Sequence, residues 1–171
     1  MDKKIIYLIF CGTSPQAIIN SLWGTIEREN IHPSKIIFLI SKNSINEEKL
    51  FEATQNLIDE YGFSCELDKL EISESDIRSN VLEIKNYFKG HQLGNLEDNE
   101  IIIDITPGRK TMSISGVLFV NSLLQSKDDL HKAVKHIYYW HLKNDQQNQM
   151  KWLPEIPVKD LELVDLLEEG K

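Results

Sequence analysis

The sequence has few of the features that mark secreted, membrane-spanning or nucleic-acid-coating proteins. Only two of its 171 residues are cysteines, Cys11 and Cys65, so it cannot form a disulfide framework. The longest apolar run near its start, residues 5–11, is too short for a membrane span and lacks a signal-peptide cleavage site. These absences predict a cytoplasmic protein without a membrane partner.

A basic surplus is also missing. The chain carries 27 acidic and 19 basic residues, a net charge of −8, whereas proteins that coat long nucleic acids usually show a basic balance or stripe. Residues 155–171 hold six acidic and two basic residues, a net charge of −4 and half of the total. We therefore predict a domain at 1–157, close enough to neutral to hold a local anion site, followed by an acidic amphipathic segment at 158–171.

Strand-like and helix-like segments alternate along the chain. The predicted strands are residues 4–11, 35–41, 65–72, 101–105 and 135–142. The predicted helices are residues 15–28, 46–61, 73–90 and 110–125. The last helix is apolar nearly all round, which is typical of a buried helix, including one in a subunit interface.

This alternation predicts an α/β, Rossmann-like fold, a mostly parallel sheet with helices on both faces. A polar turn at 144–148 leads to a further apolar segment at 149–153, which indicates a C-terminal β-hairpin with the fifth strand. In such sheets, ligands bind outside the carboxyl ends of strands, where the strand order reverses. Two loops at predicted strand ends therefore become candidates.

The first loop runs from Gly12 to Gln16, between the first strand and its helix. Gly12 allows a close backbone turn, and the hydroxyls of Thr13 and Ser14 lie at a helix start, where N–H groups can bind an anion. The alternative is that Ser14 only caps the helix and that Thr13 is a turn residue.

The second loop, residues 104–112, follows the fourth strand and adds two adjacent cations. Gly108 permits a positive φ or a close ligand approach, while Arg109 and Lys110 can contact phosphate. Cations at a helix start oppose the helix dipole, so they destabilise the helix unless an anion is bound. Neither loop matches the GxxxxGK[ST] or GxGxxG phosphate-binding patterns. The alternative is a solvated turn, with Asp104 as its structural cap.

Other strand ends supply secondary candidates. Ser41 and Asn43 follow the second strand and can read an adenine edge, or simply form a polar turn. Met112 can contact a base, although in so apolar a helix it is first a packing residue. The five histidines are dispersed along the chain, so we predict no metal and no cofactor.

The two loops together resemble those of CARF domains, the CRISPR-associated Rossmann-fold sensors. Residues 101–112, IIIDITPGRKTM, are similar to the family pattern D-x-T-G-G-x-K-x-M, and GTSPQAII at 12–19 is similar to the loop after the family's first strand. The order of elements matches over essentially the whole chain. Pro107 stands in place of the first glycine of the pair, and it fixes φ and lacks the N–H donor.

The resemblance implies a homodimer that binds a cyclic oligoadenylate, a second messenger of type III CRISPR antiviral defence, across its two-fold axis. Ser14 and Lys110 would face the ring phosphates and act in catalysis. The remaining ligand contacts implied are Gly12, Thr13, Gln16, Ser41, Asn43, Thr106, Pro107, Gly108, Arg109, Thr111 and Met112.

Two functions remain open. No nuclease motif or effector domain is evident in the chain, which predicts a standalone ring nuclease. Such an enzyme cuts the ring, preferably cyclic tetra-adenylate, by metal-independent attack of a ribose 2′-OH, leaving a 2′,3′-cyclic phosphate. The alternative is a non-cleaving CARF sensor domain, including one cut from a larger CRISPR effector.

Overall fold

One six-stranded sheet carries the fold among the residues that the structure describes. The computed structural model describes residues 3–42, 44–91, 93, 99–126 and 130–168. Its strands are β1 (Lys4–Cys11), β2 (Lys35–Ile40), β3 (Glu66–Glu71), β4 (Asn99–Asp104), β5 (Val134–Leu142) and β6 (Leu161–Asp165). Its helices are α1 (Pro15–Glu29), α2 (Glu47–Tyr61), α3 (Ile77–Gly90), α4 (Lys110–Ser126), α5 (Leu130–Ala133) and α6 (Asp145–Asn148).

The sheet has the strand order β3-β2-β1-β4-β5-β6. Strands β1 to β5 pair in parallel, and only β6 is antiparallel to its neighbour β5. The chain builds outward from β1 through β2 to β3, then crosses to β4 on the other side of β1. The order therefore reverses between β1 and β4, which makes their carboxyl ends the expected ligand-binding crevice.

Helices cover both faces of the sheet, as the strand pattern predicts. Alternate side chains of β1 point to opposite faces: Ile6, Leu8 and Phe10 join one core cluster, whereas Tyr7, Ile9 and Cys11 join the other. Helices α3 and α4 pack on the first face, and α1 and α2 on the second. The predicted α/β, Rossmann-like class is confirmed.

The start of α3 differs from the prediction. Ser73 was expected to begin the helix, but Asp76 is its N-cap and accepts a hydrogen bond from the Ser79 amide at 3.0 Å. The Ser73 hydroxyl instead accepts hydrogen bonds from the amides of Ser75 and Asp76. Ser73 therefore shapes a turn before the helix.

The C-terminal hairpin is present, but its second strand is not the predicted one. β5 pairs with β6, Leu161–Asp165, rather than with residues 149–153. The side chain of Asn20 on α1 accepts a hydrogen bond from the Leu153 amide at 2.9 Å and donates one to the Lys151 carbonyl at 2.8 Å. These contacts hold the segment against a helix. The boundary predicted at residue 157 falls between two strands that pair.

Within the single chain, helix α4 is buried on one side only, so the burial expected for so apolar a helix is partial. Its inner side packs on the sheet and on α3, where Asn80 donates a hydrogen bond to Ser115 at 3.1 Å. Its outer side leaves four large apolar side chains 38–55% exposed: Ile114, Val117, Leu118 and Leu124. A single chain therefore leaves an apolar helix face uncovered.

Candidate functional site

The two loops singled out by the sequence meet at the crevice between β1 and β4. The Gly12 amide donates a hydrogen bond to the Pro107 carbonyl at 2.8 Å. A Cβ at Gly12 would overlap that carbonyl oxygen, so only glycine lets the backbones approach this closely. The first loop (residues 12–16) and residues 106–111 of the second loop, which follow β4, thus form one continuous surface.

Gly108 also serves close packing. A Cβ there would lie 2.7 Å from Ser113 Oγ and 2.9 Å from Phe10 Cβ. Among the described glycines, only Gly62 has a positive φ. The structure therefore gives Gly108 a close approach to the core and no positive φ. Pro107 joins the loops through its carbonyl.

In the first loop, Ser14 caps α1 and remains exposed. Its Oγ accepts a hydrogen bond from the Ala17 amide at 3.2 Å, which leaves its O–H free to donate. Thr13 is exposed beside it, and Gln16 lies half-buried at the second position of α1. The capping role is present, and it still leaves a hydroxyl donor at a helix start.

The buried side chain of Asp104, at the end of β4, holds the second loop in place. Its fully buried carboxylate accepts hydrogen bonds from the Thr106 amide at 2.9 Å, from the Tyr7 hydroxyl at 2.6 Å and from the Ser21 hydroxyl. Burial raises the pKa of Asp104, and the hydrogen bonds from Ser21 and Thr106 oppose that shift. Asp104 therefore acts as a structural cap that holds the start of the loop.

Thr106 links the second loop to the next strand. Its hydroxyl oxygen accepts a hydrogen bond from the Trp140 amide of β5 at 2.8 Å. Trp140 is buried, and its indole fills the space beside Gly24 of α1. Thr106 is thus fixed at both its amide and its side chain, and the loop it begins is rigidly placed.

Glu74 brings a third strand end into the site, although no sequence motif singles it out. Its carboxylate accepts hydrogen bonds from the Ser41 hydroxyl, at 2.7 Å, and from the Arg109 guanidinium. Its main-chain carbonyl accepts a hydrogen bond from the Thr111 hydroxyl. The anion expected near the two cations is therefore supplied to Arg109 by the chain itself. The sequence feature that could have identified Glu74 is its position just after β3, because the carboxyl end of β3 lies at the same edge of the sheet.

The other candidates fall into three groups. Lys110 is exposed and forms no hydrogen bond or ion pair within the described part of the chain. Ser41 is 2% exposed and Met112 fully buried, so the free protein presents little of Ser41 and none of Met112 at its surface. Asn43 lies outside the described residues.

A depression of about 540 Å³ adjoins the site at the ends of β2 and β3 and includes Ser41, Lys42 and Glu74 in its lining. The residues that the structure describes contain no cluster of three side chains suited to hold a metal ion. Within the same residues, no helix is long and apolar enough to cross a membrane.

Comparisons with known proteins identify the fold. No protein-family model and no curated protein sequence matches the chain. Can2 from Sulfobacillus thermosulfidooxidans, solved with cyclic tetra-adenylate, aligns over 92% of this chain and 36% of its own, with 13% identity and a TM-score of 0.54.

Enterococcus italicus Csm6, solved with cyclic hexa-2′-fluoro-hexa-dAMP, aligns over 99% of this chain and 44% of its own, with 11% identity and a TM-score of 0.59. The chain spans less than half the length of either protein. At these identities the likeness concerns the fold, and the chain has the CARF-type fold that its loop motifs predict.

Proposed function

We propose that the protein binds a cyclic oligoadenylate with its first and second loops, across the two-fold axis of a homodimer. The observation that carries the proposal is the hydrogen bond between Gly12 and Pro107, because it joins the Ser14 and Lys110 loops at the strand-order reversal. Two structures of the same fold were solved with cyclic adenylates, which supports this ligand class.

Charge at the site suits a phosphate ring. The whole chain has a net charge of −8, so attraction of an anion must come from local groups. Lys110, at the first position of α4, has no ion-pair partner within the described ranges. The helix also presents N–H groups there without intrahelical partners. The Ser14 hydroxyl adds a donor at the start of α1.

The exposed face of α4 supports the dimer. Ile114 lies one helical turn after Lys110 and therefore on the same side of the helix. Packing this face against its copy would bury the exposed apolar side chains and bring two Lys110 side chains towards the axis. A two-fold dimer presents each loop twice in matched positions, as a ring of repeated phosphates requires.

We further propose slow cleavage of the bound ring. A ribose 2′-oxygen attacks the adjacent phosphorus, the bond from phosphorus to the 5′-oxygen breaks, and the 2′-OH proton ends on the leaving oxygen by way of water. Lys110 stabilises charge on the phosphorane, and Ser14 holds the ribose or a phosphate oxygen. Correct alignment of such groups can lower the barrier by about 7–11 kcal/mol.

A sensor without cleavage is the second candidate, and the state of the carboxylates favours it. Asp104 accepts hydrogen bonds from three donors, and Glu74 is paired with Arg109. In the free protein, neither of these carboxylates is free to take a proton from the ribose. Cleavage without such a base relies on orientation and on Lys110.

Incubation with cyclic tetra-adenylate and cyclic hexa-adenylate, without metal, distinguishes these candidates. We expect linear products ending in 2′,3′-cyclic phosphate, resolved by chromatography and mass spectrometry. Lys110→Ala should abolish cleavage, while Lys89→Ala, at the far end of α3, should not change it. Intact ring in a tight complex would leave only the sensor, and no binding of either ring would contradict the proposal as a whole.

A further inference from the structure

Glu74 holds one of the two neighbouring cations of the second loop. Its Oε2 pairs with Arg109, and its Oε1 accepts a hydrogen bond from Ser41 at 2.7 Å. Lys110, the next residue, has no such partner among the residues that the structure describes. We infer that Glu74 competes with the anionic ligand for Arg109 and thereby sets the protein's affinity for that ligand; this inference rests on the proposed function.

The pair has a physical reason to exist in the free protein. Arg109 immediately precedes α4, and a cation there opposes the helix dipole. A carboxylate on the guanidinium offsets that repulsion. A phosphate oxygen of an anionic ligand is a charged acceptor for Arg109, as Glu74 Oε2 is in the free protein, so the two compete for one group.

The pair is also weak enough to exchange. The side chains of Arg109 and Glu74 are 45% and 38% exposed, and ion pairs this open to solvent contribute little to stability. When Arg109 turns to a phosphate, Ser41 still holds the other oxygen of Glu74. The carboxylate therefore keeps one hydrogen bond, and the exchange leaves no buried charge without a partner.

Lys110 and Arg109 consequently differ in their availability. Lys110 can meet a phosphate at once, whereas Arg109 must first leave Glu74. The negative charge of Glu74 weakens binding of any anion that needs Arg109. Removal of that charge should therefore tighten binding, which is the opposite of what loss of a purely structural contact would do.

Glu74→Gln tests this inference sharply, because it removes the charge and keeps the other contacts. A glutamine oxygen can still accept from Ser41, and the bond from Thr111 goes to the main chain of residue 74. We expect cyclic tetra-adenylate, titrated calorimetrically at low salt, to bind about twofold to fivefold more tightly to this variant. In an Arg109→Gln background the same change should give no gain.

Glu71→Gln is the matched control, since Glu71 lines the same depression, is exposed and forms no ion pair within the described residues. Its affinity should equal that of the unmodified protein. Equal or weaker binding by Glu74→Gln, an equal gain in Glu71→Gln, or a gain that persists without Arg109 would each overturn the inference alone. Failure of the unmodified protein to bind the ring would instead remove the proposed function, and the inference with it.

Discussion

Gly12 determines how closely the two loops approach each other. Its amide reaches the Pro107 carbonyl at 2.8 Å, and a Cβ would overlap that oxygen. A methyl group there must push the second loop away, and the loops then no longer form one surface. Addition of one carbon atom at residue 12 would therefore separate the two loops and disrupt the shared site.

We expect Gly12→Ala to lower the free energy of unfolding by about 1–3 kcal/mol, as overpacking usually does, and to weaken ring binding. Urea denaturation and calorimetric titration measure the two effects. Gly90→Ala is the control, because a Cβ at Gly90 has no neighbour within 4 Å and φ there is not positive. Unchanged ring affinity in Gly12→Ala would contradict the role assigned to the loop junction.

At this scale, the sequence identifies residues whose role depends on their position beside a strand or a helix start. Ser14 and Lys110 are found in this way, and both are exposed at the expected edge. Glu74 is not found, because its role depends on side chains from three separate loops meeting in space. Met112 has the type and spacing of a ligand contact, but the direction of its side chain on α4 places it in the core.

Among the secondary-structure elements, α4 links the site to the proposed dimer. It begins at Lys110 and continues into the face formed by Ile114, Val117, Leu118 and Leu124. Contiguous exposed apolar side chains of this kind mark interaction surfaces. One helix thus supplies both the Lys110 cation and the surface that would bring its copy alongside.

Leu118→Asp should convert the dimer to a monomer, because it places a charge in the middle of an apolar interface. Sedimentation velocity measures the change, and ring affinity should fall with it. Val158→Asp is the control: Val158 is also exposed, but it lies beside Trp23 of α1, on the opposite side of the sheet. An unmodified protein that is already monomeric, or a Leu118→Asp variant that stays dimeric, would exclude this face as the interface.

The elements predictable from local pattern are the buried strands and the amphipathic helices. The partner of β5 was not predictable in the same way. Residues 149–153 are apolar enough for a strand. The Asn20 side chain, however, forms hydrogen bonds with the backbone of Lys151 and Leu153. Residues 161–165 look like part of an acidic amphipathic segment, but they complete the sheet as β6. Long-range contacts decide both cases.

For the whole molecule, the sheet topology makes the site possible. The order of strands across the sheet, β3-β2-β1-β4-β5-β6, leaves the ends of β1 and β4 adjacent, with their following helices on opposite faces. The first loop leads into α1 and the second into α4, so the crevice opens between two helix starts. The two helix starts therefore give the crevice a local positive potential, although the whole chain has a net charge of −8.

The central claim is that two copies of this surface hold one cyclic oligoadenylate. Calorimetric titration of the protein with cyclic tetra-adenylate and with cyclic hexa-adenylate, without metal, measures the stoichiometry directly. We expect one ring per two chains for at least one of the rings, and weaker binding in Lys110→Ala. One ring per chain, or no heat of binding with either ring, would contradict it.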